Sequence, residues 1–158
     1  MLRSMSFNLI TLSADTLELE KRPGNGAVRI EFDGGSTCNI PRLGYGRGYG
    51  SFKIGNGPVY RSHFQRNMSA NAAEICTLAT AITVAKGHGA RHLVVVGDSQ
   101  IALKWANVCA GNREATKIDK TSESFKEAIQ VLHEACDGIW TLETRWQPRI
   151  NSVLTFGH

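Results

Sequence analysis

The sequence predicts one α/β domain: a mixed five-stranded sheet, an antiparallel meander followed by parallel strands, flanked by helices. Three observations carry this. Val28, Ile30 and Phe32 alternate with Arg29 and Glu31, the period of a strand with one exposed face. Ile75, Leu78, Ala79 and Ile82 recur at helical spacing after Ser69, a residue suited to an N-cap. The apolar, β-branched run from His92 stops at Gly97-Asp98-Ser99, where a buried strand hands over to a helix.

Taken in order, the chain opens with short apolar pieces, Leu9 to Leu12 and Leu17 to Leu19, ahead of the breaker cluster Lys21-Arg22-Pro23-Gly24-Asn25-Gly26. Residues 1–26 are expected to be an N-terminal extension that adds a short strand or hairpin, and residues 27–158 to be the domain. A strand ends at Asp33, and the loop from Gly34 to Pro41 follows. Leu43 to Ile54 and Val59 to Gln65, rich in Gly, Tyr and Phe and parted by Gly55-Asn56-Gly57-Pro58, complete the meander. A helix spans about 70–86 and stops at Gly87 and Gly89; a strand follows over 92–97. The second helix, Ser99 to Cys109, carries Ile101, Trp105, Val108 and Cys109 on one side. After a loop, Phe125, Ala128, Ile129, Leu132 and Cys136 mark a third helix that ends at Asp137-Gly138. Trp140 to Trp146 is the last strand, and Pro148 ends it. Trp105 and Trp140 sit in apolar patterns and are expected in the core.

Composition narrows the function classes. With 42% hydrophobic and 20% charged residues, the chain is globular and not disordered or fibrous. Its 158 residues suit one domain with a core of its own. The net charge of +4 mildly favours polyanionic partners, yet Lys53, Arg61, Arg66, Lys117 and Lys120 are scattered. Between residues 110 and 124 Glu114, Asp119 and Glu123 interrupt the bases, so no basic protrusion is expected. Cys38, Cys76, Cys109 and Cys136 form no Cys-x-x-Cys pair and read as reduced thiols, not zinc ligands. His88, His92 and His133 lack ligand spacing and read as loop or surface residues. No apolar stretch approaches the roughly 20 residues of a membrane span, and Arg3, Ser4 and Asn8 break what would be a leader, so the protein is expected to be cytoplasmic. It is expected to be a monomer or a homodimer, a neighbour covering an open sheet edge in the second case.

Three acids stand where these elements could converge. Asp33 closes the first clear strand, Glu74 lies on the first helix beside Ile75, and Asp98 follows the buried strand, at the carboxyl end where open α/β sheets place ligands. Each has an ordinary role available: a turn at Asp33-Gly34, a first-turn glutamate at Glu74, an N-cap at Asp98. Together they have the chemistry for two Mg²⁺ ions about 3.5–4 Å apart, which hydrolyse phosphodiesters and bind to sparse, rigid carboxylates.

Four segments in order resemble the ribonuclease H family, in its plant and bacterial-type branch, over roughly residues 27–155. Asp33-Gly34-Gly35-Ser36-Thr37-Cys38-Asn39, running on to Gly44 and Gly46, resembles the first-strand signature. Ser69-Ala70-Asn71-Ala72-Ala73-Glu74 is similar to the helix signature that leads to a metal-binding Glu, and Gly97-Asp98-Ser99-Gln100 to the third motif. Trp146-Gln147-Pro148-Arg149-Ile150-Asn151 is similar to the segment that precedes a fourth acid. The resemblance implies endonucleolytic cleavage of the RNA strand of RNA–DNA hybrids. Asp33, Glu74 and Asp98 would be catalytic and hold Mg²⁺, or Mn²⁺ in its place, and Asn39, Asn71 and Gln100 would contact the hybrid. The departure is at the fourth acid. Counting four residues on from Asn151 reaches Thr155, no Asp or Glu follows Glu143, and no C-terminal helix is expected; Thr155 and His158 are the candidates for that position. The alternative is therefore a catalytically weak or inactive module of the same kind that binds nucleic acid or a protein.

Overall fold

In the computed structural model, residues 7–11, 26–38, 40, 43–115 and 123–157 are described. The elements are β1 (Phe7–Thr11), β2 (Val28–Ser36), β3 (Arg47–Ile54), β4 (Val59–Asn67), α1 (Ala70–Gly87), β5 (His92–Gly97), α2 (Gln100–Cys109), α3 (Glu123–Cys136), β6 (Thr141–Trp146) and α4 (Arg149–Phe156). The sheet runs in the order β1-β4-β3-β2-β5-β6. β2, β3 and β4 form the expected antiparallel meander, and β5 and β6 join β2 in parallel. The five expected strands are all present. β1, from the N-terminal extension, pairs antiparallel with β4 as a sixth, from Phe7 opposite Phe64 to Thr11 opposite Tyr60.

The two faces of the sheet are covered unequally. Ile30 and Phe32 are wholly buried on one face, where α1 crosses β2 and β3 and α2 lies on β5 and β6, with α3 packed outside both helices. α1 is enclosed nearly all round, with every residue from Ala72 to Ile82 buried. Such a helix needs its hydroxyls satisfied, and Thr77 and Thr80 donate to the carbonyls of Ala73 and Cys76. Its contact with the sheet is close: a Cβ at Gly50 would stand 1.8 Å from Thr77 Oγ1. The opposite face of β2 carries Glu31 and Asp33, and among the described residues the short α4 lies against it.

Several sequence expectations are corrected. β2 continues past Asp33 to Ser36, whose hydroxyl donates to Cys38 O and Gly46 O, so the turn at Asp33-Gly34 does not exist. Trp105 is buried against Phe125, but Trp140 is 70% exposed, its ring edge-to-face with that of His92. It precedes an edge strand in which Leu142 alone is buried. A C-terminal helix does form. Pro148, expected as a terminator, is its N-cap, where its fixed φ leads into the first turn, and Gly157 closes it at φ 79°. The helix inverts the usual pattern, with Ser152 and Phe156 buried and Ile150, Val153 and Leu154 exposed, so no apolar stripe betrays it. Lys117, Asp119 and Lys120 lie outside the described residues, as do residues 1–6 and 12–25. Among the described residues, no helix is long and apolar enough to cross a membrane.

Candidate active site

β2 is the strand at which the sheet changes sense, antiparallel to β3 on one side and parallel to β5 on the other. Its pairing with β5 ends at Glu31 opposite Val96. Carried two residues further, that register brings Asp98 level with Asp33, where the strands have parted and leave a gap. α1 closes on this gap. A Cβ at Gly34 would stand 2.9 Å from Glu74 N, so only glycine lets β2 approach the helix backbone at the residue before which Glu74 projects.

One carboxylate oxygen from each of Asp33, Glu74 and Asp98 lies within 4.8 Å of the others. Asp33 and Glu74 are buried, and Asp98 is half-buried on the open side. Burial, then the charges of Asp33 and Asp98, push the Glu74 carboxyl up to about 9. A hydrogen bond with Asp33 favours its protonated form further, and one from Gly34 opposes the trend. Glu74 Oε2 is buried with no hydrogen-bond partner among the described residues. Three carboxylates this close cannot all ionise unless positive charge joins them. The donor set, carboxylate oxygens of which one is buried and unpartnered among the described residues, fits a hard divalent cation.

The ordinary roles of these acids are taken by others or excluded. Ser99, not Asp98, caps α2, its hydroxyl accepting from Ala102 N at 3.1 Å. Glu74 is the fifth residue of α1, past the first turn, which contains no acid. The end of β6 clasps the Asp98 loop: Trp146 Nε1 donates to Asp98 O at 3.1 Å and Gln147 N to Gly97 O at 2.9 Å. Asn71 and Gln100 are exposed three residues before Glu74 and two after Asp98, on the rim of the cluster. Asn39 and His158 lie outside the described residues. Beside Gln100 opens a groove of about 530 Å³, lined among others by Lys104, Asn107, Arg113 and Trp146.

The Thr155 hydroxyl is engaged by another acid, donating to Glu31 Oε2 at 3.2 Å. Glu31, Ser51 and Arg61 are neighbours that sequence reasoning missed. Asp33 pairs with Ser51 and Ser51 with Arg61, in one row across three strands. Arg61 donates to Ser51 Oγ at 3.1 Å and to Phe156 O at the end of α4 at 3.2 Å, a favourable place for a cation. Only strand register could have revealed this row.

No protein-family profile matches the chain, and no curated protein matches it in sequence. Solved structures do. The ribonuclease H1 of the halophilic archaeon Halobacterium salinarum NRC-1 superimposes with a TM-score of 0.59 at 21% identity, over 80% of this chain and 89% of that one. The N-terminal RNase H domain of a Mycobacterium tuberculosis protein gives 0.61 at 18% identity, over 82% and 87%. This chain has the ribonuclease H-like fold. LC11-RNase H1, solved in complex with an RNA/DNA hybrid, gives 0.59 at 18% identity over 81% and 90%. In this ribonuclease H-like domain the acid cluster lies where β2 parts from the carboxyl end of β5, and β1 is at the far edge of the sheet.

Proposed function

We propose that the protein is a divalent-cation-dependent endoribonuclease that hydrolyses the RNA strand of RNA–DNA hybrids, with residues 27–158 as the catalytic domain. The observation that carries the proposal is the convergence of Asp33, Glu74 and Asp98 within 4.8 Å where β2 and β5 part beside α1, two of them buried and one half-buried. Asp33, Glu74 and Asp98 would hold Mg²⁺ or Mn²⁺, which supplies Lewis acidity at the scissile phosphate and a more acidic attacking water. Glu74, whose carboxyl is raised by burial and by Asp33 and Asp98, would have to release its proton in order to hold the cation. The clasp from Trp146 and Gln147 fixes the Asp98 loop against the pull of bound charge.

Asn39, Asn71 and Gln100 are assigned to hybrid contacts beside the cut, where recognition of the 2′-hydroxyl separates RNA from DNA. The groove beyond Gln100 offers Lys104 and Arg113 for phosphates and the half-exposed indole of Trp146 for stacking. The net charge of +4 and the hybrid bound by LC11-RNase H1 support the same partner. We place the enzyme in the cytoplasm as a monomer or homodimer.

The test is cleavage of a labelled RNA–DNA hybrid with Mg²⁺ or Mn²⁺, beside duplex DNA and duplex RNA. The native chain is expected to cut only the hybrid, and Asp33→Asn to be inert while folded. One observation favours a second reading, a hybrid-binding module with little activity: Thr155 brings a hydroxyl where a carboxylate would serve, and that hydroxyl is engaged by Glu31. A native chain that binds the hybrid without cutting it would decide for this alternative.

A further inference from the structure

We infer that the cavity at the bulged end of β3 and β4 binds one nucleotide of an unpaired RNA segment that continues from the hybrid; this rests on the hybrid reading above. The cavity, of about 400 Å³, is lined among others by Thr37, Arg47, Tyr49, His63 and Gln65. The backbone makes it. Tyr49 pairs with His63 and Arg47 with Asn67, so the single residue Gly48 faces three, Phe64 to Arg66. A bulge of this kind bends its strand and re-aims side chains, often beside a working site. Both walls are tied down. β1 backs the outer one, Phe7 opposite Phe64 and Asn8 opposite His63, and at the inner one Thr37 N donates to Arg47 O at 3.1 Å.

Position and chemistry both point to a nucleotide. Asp33 and Gly35 lie two residues apart on β2, so both face the same way, their Cα atoms roughly 6.6 Å apart. Tyr49 stands opposite Gly35, and a Cβ at Gly35 would come within 2.7 Å of the Tyr49 hydroxyl. The phenol therefore lies over β2 on the face of Asp33, while the same residue lines the cavity. In sheet order the cavity is on the β3 and β4 side of the acids and the groove beyond Gln100 on the β6 side, so a strand held at the acids meets a site on either flank. No acid is among the described lining residues, and exposed Arg47 offers the planar fork that suits phosphate. The half-buried ring of Tyr49 offers a surface on which any base stacks, and exposed His63, its cross-strand partner, offers a second ring. The Thr37 hydroxyl and the Gln65 amide bring both donors and acceptors for a sugar or a base edge. A cavity of this volume is of small-molecule size and takes one nucleotide, not a duplex.

The experiment measures affinity by fluorescence anisotropy on the full chain in the Asp33→Asn background, with Mg²⁺ present, so that binding is read without cutting. The probes are a blunt RNA–DNA hybrid and the same hybrid with a short run of unpaired uridines on the 5′ or the 3′ end of its RNA strand. A tail at one of the two ends is expected to tighten binding about tenfold, the worth of one stacked base. Tyr49→Leu, which keeps bulk over Gly35 without the ring, should abolish that gain, and Arg47→Gln should reduce it about threefold. Both variants should keep the circular dichroism spectrum and the affinity for the blunt hybrid. Equal affinity for blunt and tailed hybrids, or a tail advantage that survives both substitutions, would overturn this inference and leave the hybrid reading standing. Uridine monophosphate that binds in a Tyr49-dependent way while the tails add nothing would assign the cavity to a free nucleotide and overturn the assignment to the strand. A chain that binds neither the blunt nor the tailed hybrid would remove the hybrid reading and this inference together.

Discussion

Glu74→Gln is expected to stabilise the cation-free protein, and the gain should grow with pH. The folded carboxyl is held near 9 against an ordinary value of 4.5, by burial first and by Asp33 and Asp98 next. Between those values the folded chain keeps a proton that the unfolded chain releases, so stability falls as pH rises from 4.5 and levels off above 9. Each pH unit in that window costs about 1.4 kcal/mol, so the penalty at pH 8 is on the order of 4–5 kcal/mol. Glutamine cannot ionise and can still donate to Asp33, so the variant escapes it. Urea unfolding in chelator at pH 4.5, 6 and 8 measures this, and other titrating groups cancel in the difference between the two chains. Saturating Mg²⁺ should reverse the order: at a hundredfold excess over Kd the native chain gains about 2.7 kcal/mol, and the variant, lacking a ligand charge, gains less. A difference that does not grow with pH, or a variant less stable at pH 8 in chelator, would refute the electrostatic account of the cluster.

Other outcomes follow from the same geometry. Gly34→Ala should push α1 off β2, since its Cβ would meet Glu74 N at 2.9 Å, and should cost about 1–3 kcal/mol in urea unfolding along with cation affinity. Trp146→Ala should lose the hydrogen bond to Asp98 O and a stacking surface, and weaken hybrid binding in a gel-shift titration by about 1–3 kcal/mol, with little change in the fold. Cys76 and Cys136 are buried and their thiols are raised by burial, that of Cys136 to about 12, so neither should react with a thiol reagent until urea unfolds the chain. Duplicating the hybrid titration at two salt concentrations should show strong weakening with salt, as phosphate contacts by Lys104 and Arg113 require.

How much of this was legible depends on what each residue's neighbours had to be. The central strands and the first three helices announce themselves because their buried sides repeat at the period of the element, as in Ile30 and Phe32 or Ile75, Leu78 and Ile82. The three acids were legible because each stands at or beside the end of such a run. α4 was not, because a helix that buries Ser152 and Phe156 and exposes Ile150, Val153 and Leu154 carries its apolar residues on the wrong side. Trp140 misled for a related reason: an apolar neighbourhood in sequence became the unprotected start of an edge strand. Glu31 looks in sequence like the outward half of an alternating strand. Its contact with α4 appears only when a helix 118 and more residues away in the chain lays Thr155 over it, and no local pattern encodes that crossing.

The elements on the two faces of β2 differ greatly in firmness. Asp33 and Glu74 hang from a central strand and an enclosed helix, whose amides can exchange with solvent only when most of the molecule opens. α4, on the other face of β2, is eight residues long and fastened by Ser152 and Phe156, the Thr155 bond to Glu31 and the Arg61 bond to its last carbonyl. Its amides should exchange orders of magnitude faster than those of α1. Thr155 therefore breaks and re-forms its bond to Glu31 many times while Asp33 and Glu74 stay in place, a local opening separate from the stability of the fold.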